Sequence, residues 1–269
     1  MARGKAPTLT LKAGREKSLL QRHPWIFSGA IERVDGAPGP GDTVAVRARD
    51  GALLATAAYS PSSQIRARAW SFADETIDGA WFARRVRAAV DARADMLDPD
   101  HTACRLVHGE SDGLPGVIAD RYGDTLVVQL LSAGAEAWRD ALVDALVAAT
   151  GASTVVERSD AEVRQLEGLA PRSGVLRGTL AGPVAIREDG IAYRVDVMAG
   201  QKTGFYLDQR ANRRRVRELA RGRAVLNAFC YTGGFTLAAL AGGARDAVSI
   251  DSSADALALA RSNLAANPG

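Results

Sequence analysis

VLNAFCYTGGFTLAALAGGARDAVSID, residues 225–251, is the stretch whose reading decides the fold. Val225 to Phe229 reads as a short buried strand and Cys230 to Gly234 as a turn. Phe235 to Leu240, apolar and rich in Ala, reads as a helix closed by Gly242-Gly243. Ala247 to Ile250 is a second apolar strand that stops at Asp251. Strand, loop, helix and strand in that order make the opening unit of a doubly wound parallel sheet.

In such a sheet ligands sit beyond the carboxyl ends of the strands. Gly233 and Gly234 let backbone approach a ligand where a Cβ would clash, and the N–H groups of the following helix face the same crevice. Asp251, at a strand tip, is placed to accept hydrogen bonds from a ribose diol. With Phe229 at the end of the first strand and Tyr231 in the turn, these residues form the candidate cofactor-binding set. The turn lacks G-x-G-x-x-G, and no Lys follows Gly234 as a P-loop requires. A nucleoside ligand without phosphates, such as S-adenosylmethionine, therefore fits better. The pattern also suits an ordinary α/β core unit with no ligand.

NAFCYTGGF (227–235), preceded by GQKTGFYLDQR at Gly200–Arg210, resembles the RNA methyltransferases of the class I, S-adenosylmethionine-dependent superfamily. The likeness is greatest to the large-subunit ribosomal RNA cytosine-C5 methyltransferases that carry an N-terminal PUA domain. LKAGREKSLLQRHPWIFSGAI (11–31) and GESDGLPGVIADRYGD (109–124) extend it over the whole chain. The resemblance implies a multidomain α+β and α/β protein. Residues 1–72 would form a PUA-like, RNA-binding β-barrel and 73–182 a central α+β domain. Residues 183–269 would be the N-terminal part of a Rossmann-like class I methyltransferase domain. It implies S-adenosylmethionine as cofactor, and Phe205, Asp208 and Arg210 as further cofactor-pocket residues. Lys12, Arg15, Lys17 and His23 become candidate RNA contacts. The implied substrate is large-subunit ribosomal RNA, methylated at C5 of a cytosine. Methylation of another base or atom, or RNA binding without catalysis, are the alternatives.

Composition sets outer bounds. The chain has 269 residues, 47% of them apolar, enough for two or three domains with buried cores. No apolar run approaches the ~18 residues of a membrane span, and no apolar stretch follows the basic Met1–Lys5 to make a signal peptide. Cys104 and Cys230 are the two cysteines, which excludes a disulfide framework and a cysteine zinc site. The cytoplasm is the expected location. Net charge is +3, but residues 1–72 hold 11 Lys and Arg against 5 Asp and Glu. That basic module suits a polyanionic partner, or simply a solvated Arg-rich surface.

Along the chain, Thr8–Leu11, Thr43–Val46 and Ile65–Trp70 alternate as strands, with turns at Asp35-Gly36 and Asp50-Gly51 and a short helix from Arg15 to Leu20. Trp25 and Phe27 are assigned to core ahead of base stacking. Helices are expected over 81–96 and 135–149, and strands over 105–107, 116–119, 125–131 and 154–157. A hairpin over 184–188 and 191–197 should turn at Asp189-Gly190. Glu110 and Asp112 in GESDGLPG read as turn residues ahead of an acid–base pair, and the lone His108 makes a poor metal ligand. Arg213, Arg214, Arg215 and Arg217 cannot share one helix face, so some should be solvated and others free to meet phosphates.

Ser252-Ser253 caps a last helix through Asn267, so only two parallel strands of the wound sheet are made. By the resemblance, an Asp-Pro-Pro motif and the nucleophilic cysteine should follow, and the nucleophile is expected beyond Gly269. Cys230 reads as a small buried residue and Cys104 shows no base partner, so neither is given a catalytic role. Open sheet edges add a homodimer to the expected partners.

Overall fold

Alternation along Thr8–Leu11 and Thr43–Arg47 turns Leu9, Leu11, Val44 and Val46 inward in the computed structural model, which describes residues 7–268. The basic Met1–Lys5 and Gly269 lie outside the described residues. The chain forms two units, one of Met1–Arg93, Leu106–Ala119 and Leu126–Thr179, the other of Ala94–Arg105, Asp120–Thr125 and Leu180–Gly269.

In the first unit, β1 (Thr8–Leu11), β2 (Trp25–Phe27), β3 (Ile31–Asp35), β4 (Thr43–Arg47), β5 (Leu53–Tyr59) and β6 (Ile65–Ser71) make one sheet in the order β2-β6-β5-β4-β1-β3. Only β1 and β4 run parallel; the other pairs are antiparallel. Leu19 of the short helix α1 (Lys17–Leu20) joins the core that the sheet buries. This is the β-rich module expected at the N-terminus. The core assignment of Trp25 and Phe27 is corrected: Trp25 is half-buried and Phe27 half-exposed. They lie on the edge strand β2, which has a neighbour on one side only.

Helix α2 (Gly79–Asp91) starts at Asp78, whose carboxylate accepts the Trp81 N–H at 2.8 Å. It buries Trp81 and Phe82, and the Phe82 ring meets Trp70 edge-on. Then come β7 (Ala103–His108), β8 (Val117–Tyr122), β9 (Thr125–Leu130), α3 (Ala133–Ala137), α4 (Arg139–Thr150), β10 (Thr154–Ser159), α5 (Val163–Leu166) and β11 (Arg172–Arg177). The five strands form a sheet in the order β11-β10-β9-β8-β7. The single helix expected over 135–149 is two, reset at Trp138, whose ring packs on Phe82 at 4.8 Å. β11 escapes a search for apolar alternation because it is a largely exposed edge strand.

In the second unit the hairpin β12 (Val184–Glu188) and β13 (Ile191–Val195) turns at Asp189-Gly190. Helix α6 (Arg210–Leu219), strand β14 (Ala224–Ala228), helix α7 (Gly234–Ala241), strand β15 (Asp246–Ile250) and helix α8 (Ala254–Ala265) follow. β14 and β15 pair in parallel, from Ala224 opposite Asp246 to Ala228 opposite Ile250. The strand-loop-helix-strand unit is therefore present, but its first strand is not buried. Leu226 is 66% exposed and Val248 57%, because alternate positions point away from α7 and no described element covers them. No helix among the described residues is long and apolar enough to cross a membrane.

Candidate cofactor site

Parallel register brings the ends of β14 and β15 to one edge, and the loop Phe229–Gly233 crosses it. Alternate residues of this loop are left-handed: Phe229 at φ 61°, Tyr231 at φ 48° and Gly233 at φ 81°. For Phe and Tyr that backbone is strained, and such strain gathers at functional sites. Phe229 does not end the strand, as the apolar run suggests. It projects into solvent, 92% exposed.

Asp251 holds the loop. Its Oδ2 accepts the Tyr231 N–H at 2.7 Å and its Oδ1 accepts the Ser253 N–H at 2.9 Å. The Ser253 and Tyr231 amides keep its carboxyl below the usual aspartate range. A carboxylate offers about four lone-pair sites, so acceptor capacity remains after both amides are served. Gly233 and Gly234 meet protein on the side where a Cβ would stand. A Cβ on Gly233 would lie 3.2 Å from Ala260 Cβ of α8, and one on Gly234 would lie 3.3 Å from Arg213 Cδ. Close packing of the surrounding helices is thus a sufficient reason for both glycines.

The facing wall is the loop Gly200–Tyr206. Tyr231 Oη donates to the Gly204 carbonyl and accepts the Gln201 N–H, both at 2.9 Å. A Cβ on Gly200 would fall 2.3 Å from the Asp196 carbonyl oxygen, so no larger residue fits that turn. Phe205, 4% exposed, stacks obliquely on Tyr193, and the Arg213 guanidinium lies 4.6 Å over its ring. Arg213 is itself buried, paired through Nε and Nη2 with both oxygens of Glu188 at 2.6 and 2.8 Å.

Beneath the loop runs a buried relay. Thr203, 1% exposed, donates to Asp120 Oδ2 at 2.6 Å and accepts from Tyr122 Oη at 2.8 Å. Asp120 also accepts Arg105 Nε at 2.7 Å and Nη2 at 2.9 Å. Burial, with the Asp120 charge adding to it, raises the Tyr122 phenol far above its usual range.

These elements enclose a cavity of about 710 Å³, walled by three stretches: 196–213, 229–235 and 251–259. Of the residues singled out from sequence, Phe205, Asp208, Phe229, Tyr231, Gly234 and Asp251 line it. Gly233 caps α7 behind the wall, and Arg210 opens α6, its Nε buried without a hydrogen-bond partner among the described residues. Lys12, Arg15, Lys17 and His23 are exposed on the first unit, with Lys12 Nζ donating to the Gly29 carbonyl at 3.0 Å. Asp196 and Tyr206, not singled out from sequence, also line the cavity, as does Arg213, which was expected in solvent or on a phosphate. Tyr206 lay within GQKTGFYLDQR, so the motif was a signal for it.

Arg214, Arg215 and Arg217 of α6 find partners inside the protein. Arg214 Nε donates to Asp189 at 2.7 Å, Arg217 donates to the Asp189 carbonyl, and Arg215 pairs with Glu218. Cys230 is 4% exposed, and burial, then the Asp251 charge, pushes its thiol above the usual value. Cys104 is equally buried. No cluster of three or more His, Cys, Asp or Glu suited to a metal occurs among the described residues.

Residues 9–72 match the PUA-like domain family, and residues 104–268 match the S-adenosylmethionine-dependent methyltransferase family. A protein of Shewanella denitrificans named ribosomal RNA large subunit methyltransferase I is 50% identical over 263 residues, covering 96% of this chain and 66% of its own length. The protein of the same name from Aeromonas hydrophila is 50% identical over 264 residues, with 97% and 66% covered. The chain thus spans 66% of the length of these curated relatives. Among solved structures, a putative SAM-dependent methyltransferase from Streptococcus mutans superposes with a TM-score of 0.81 at 26% identity, covering 97% of this chain and 67% of that one. A putative methyltransferase complexed with SAH gives 0.83 at 25% identity, with 96% and 66% covered.

Proposed function

We propose, for a chain that belongs to the S-adenosylmethionine-dependent methyltransferase family, that the 710 Å³ cavity holds S-adenosylmethionine and serves methyl transfer to large-subunit ribosomal RNA. The observation that carries this reading is the placement of Asp251. It stands at the tip of β15 with spare acceptor capacity, in the wall of a cavity that also presents Phe229. A ribose diol is the ligand group that matches a carboxylate at this position. The exposed Phe229 supplies an apolar face for the adenine, and the relay under Thr203 fixes the opposing loop. When bound, the cofactor supplies an electrophilic methyl group; the protein's part is to bind it, orient it and hold the loop around it.

The finer reading is transfer to C5 of a cytosine. That chemistry needs a thiolate to add to C6, because C5 becomes nucleophilic only in the resulting enamine. Neither cysteine of the chain suits this attack, since both are buried and the Cys230 thiol is raised, so we assign the nucleophile to neither. On this proposal Lys12, Arg15, Lys17 and His23 meet RNA phosphates, the three-part division at residues 72 and 182 holds, and the protein works in the cytoplasm. The test is methyl transfer from labelled S-adenosylmethionine to unmodified large-subunit ribosomal RNA. Digestion to nucleosides identifies the product. Label in 5-methylcytidine supports the finer reading; label in another nucleoside overturns it and leaves RNA methylation standing. An RNA that binds but takes no label from the 269-residue chain supports the reading in which this chain only binds.

A further inference from the structure

The first unit has a cavity of its own, of about 290 Å³, at the small end of the range for ligand sites. Its wall joins two motifs that the cofactor reading leaves unused. Arg22 and Pro24 come from QRHPWIF, and Glu110 from GESDGLPG. The two are fixed to each other by Trp25 Nε1, which donates to Glu110 Oε1 at 2.8 Å across 85 residues of sequence.

Arg22 stands where a glycine is usual. The Arg22 N–H bonds the Leu19 carbonyl at 2.8 Å and the His23 N–H bonds the Ser18 carbonyl at 2.9 Å, which is the Schellman pattern closing α1. The left-handed residue of that pattern is Arg22, at φ 60°. A long side chain there is strained, and its guanidinium lies 6.0 Å from the centre of the Phe72 ring in the cavity wall. A flat cation beside an aromatic ring is a stacking surface for a base. The carboxylates divide the remaining work. Glu75 is held by Ser71 and Trp81. Glu110 uses one oxygen for Trp25 and leaves Oε2 without a partner among the described residues. Arg85, also in the wall, adds a second positive charge that suits a phosphate.

We propose that this cavity takes one unpaired, amino-bearing base of an RNA strand, stacked by Arg22 and Phe72, with its exocyclic amine donating to Glu110 Oε2. The inference rests on the RNA reading above and adds a base preference to it. Uracil fits poorly, because its carbonyl oxygen occupies the place of cytosine's amine and meets the carboxylate.

The probes are a labelled 12-nucleotide oligouridine and the same oligomer with one central cytidine, titrated by fluorescence anisotropy with the full chain at fixed salt. The cytidine oligomer should bind about tenfold tighter, the worth of one hydrogen bond to a charged group. Glu110→Gln keeps an oxygen for Trp25 and turns an amide N–H toward the base, so the preference should reverse toward oligouridine. Arg22→Gly relieves the left-handed strain, so it should weaken both oligomers without lowering Tm. Equal affinities for the two oligomers, a cytidine preference that survives Glu110→Gln, or unchanged affinity in Arg22→Gly would each overturn the pocket. Tight but equal binding removes this inference alone, whereas no binding to either oligomer removes the RNA reading with it.

Discussion

Thr203 donates its hydroxyl proton to Asp120 at 2.6 Å, which ties the loop lining the cavity to the end of β8. Both residues are buried, and neither is among the residues that line the cavity. Thr203→Val keeps the shape and removes the hydroxyl, leaving the Tyr122 hydroxyl without its acceptor. Stranded buried polar groups cost about 1–3 kcal/mol each. Urea unfolding should show a loss of this order, and S-adenosylmethionine affinity should fall because the Gly200–Tyr206 loop loses its anchor to Asp120 and keeps those to Tyr231 and the Phe205 packing. Thr203→Ser should restore both. A valine variant with unchanged affinity would show that the relay supports the fold and not the site.

A pH dependence is expected from His101. Its Nδ1 faces Asp98 at 2.9 Å and its Nε2 faces Asp189 at 2.8 Å. Burial opposes the imidazolium, but the hydrogen bonds to Asp189 and then Asp98 outweigh it and raise the His101 pKa above 6.5. Asp189 is also opposed by burial, yet Arg214 and His101 bring it down to about 2. The His101 contribution is complete below pH 6.5 and is lost as pH rises through the raised value. The Asp189 contribution is present above pH 3.8 and is lost as pH falls toward about 2. Urea midpoints measured from pH 5 to 9 should therefore decline on the alkaline side, and His101→Asn should flatten that decline. An identical profile in the variant would contradict the assignment.

Phe229→Gly separates strain from binding. Glycine adopts φ 61° freely, which offsets its larger unfolded-state entropy. Stability should stay level or rise by up to about 1 kcal/mol, while cofactor affinity falls with loss of the exposed ring. A clear drop in Tm would mean that Phe229 packs in the fold, against its exposure.

The local unit was legible because its signals are local. Apolar runs separated by Gly233-Gly234 and Gly242-Gly243 mark β14, α7 and β15, and Asp251 closes the second strand. Pairings across the chain left no such mark. Nothing in RANRRR distinguishes Arg213, buried against Glu188, from Arg215, exposed beside Glu218. Trp25 read as core because it is a large aromatic next to Ile26, whereas its partner Glu110 lies 85 residues away. Phe229 extended an apolar run, and only backbone geometry shows it turned left-handed and outward. The two helices at 133–150 looked continuous since Ala recurs through both.

The most direct test is calorimetric titration of S-adenosylmethionine into the 269-residue chain and its Asp251→Ala variant, with Tm recorded for each. The wild type should bind one equivalent, and the variant should bind at least about tenfold more weakly, because the carboxylate that matches the ribose diol is gone. Asp251→Asn keeps one carbonyl oxygen, enough for one of the two loop amides, so it should lower Tm less than Asp251→Ala and still bind weakly. Equal affinity in all three proteins, or no binding by the wild type, would contradict the assignment of this cavity to the cofactor.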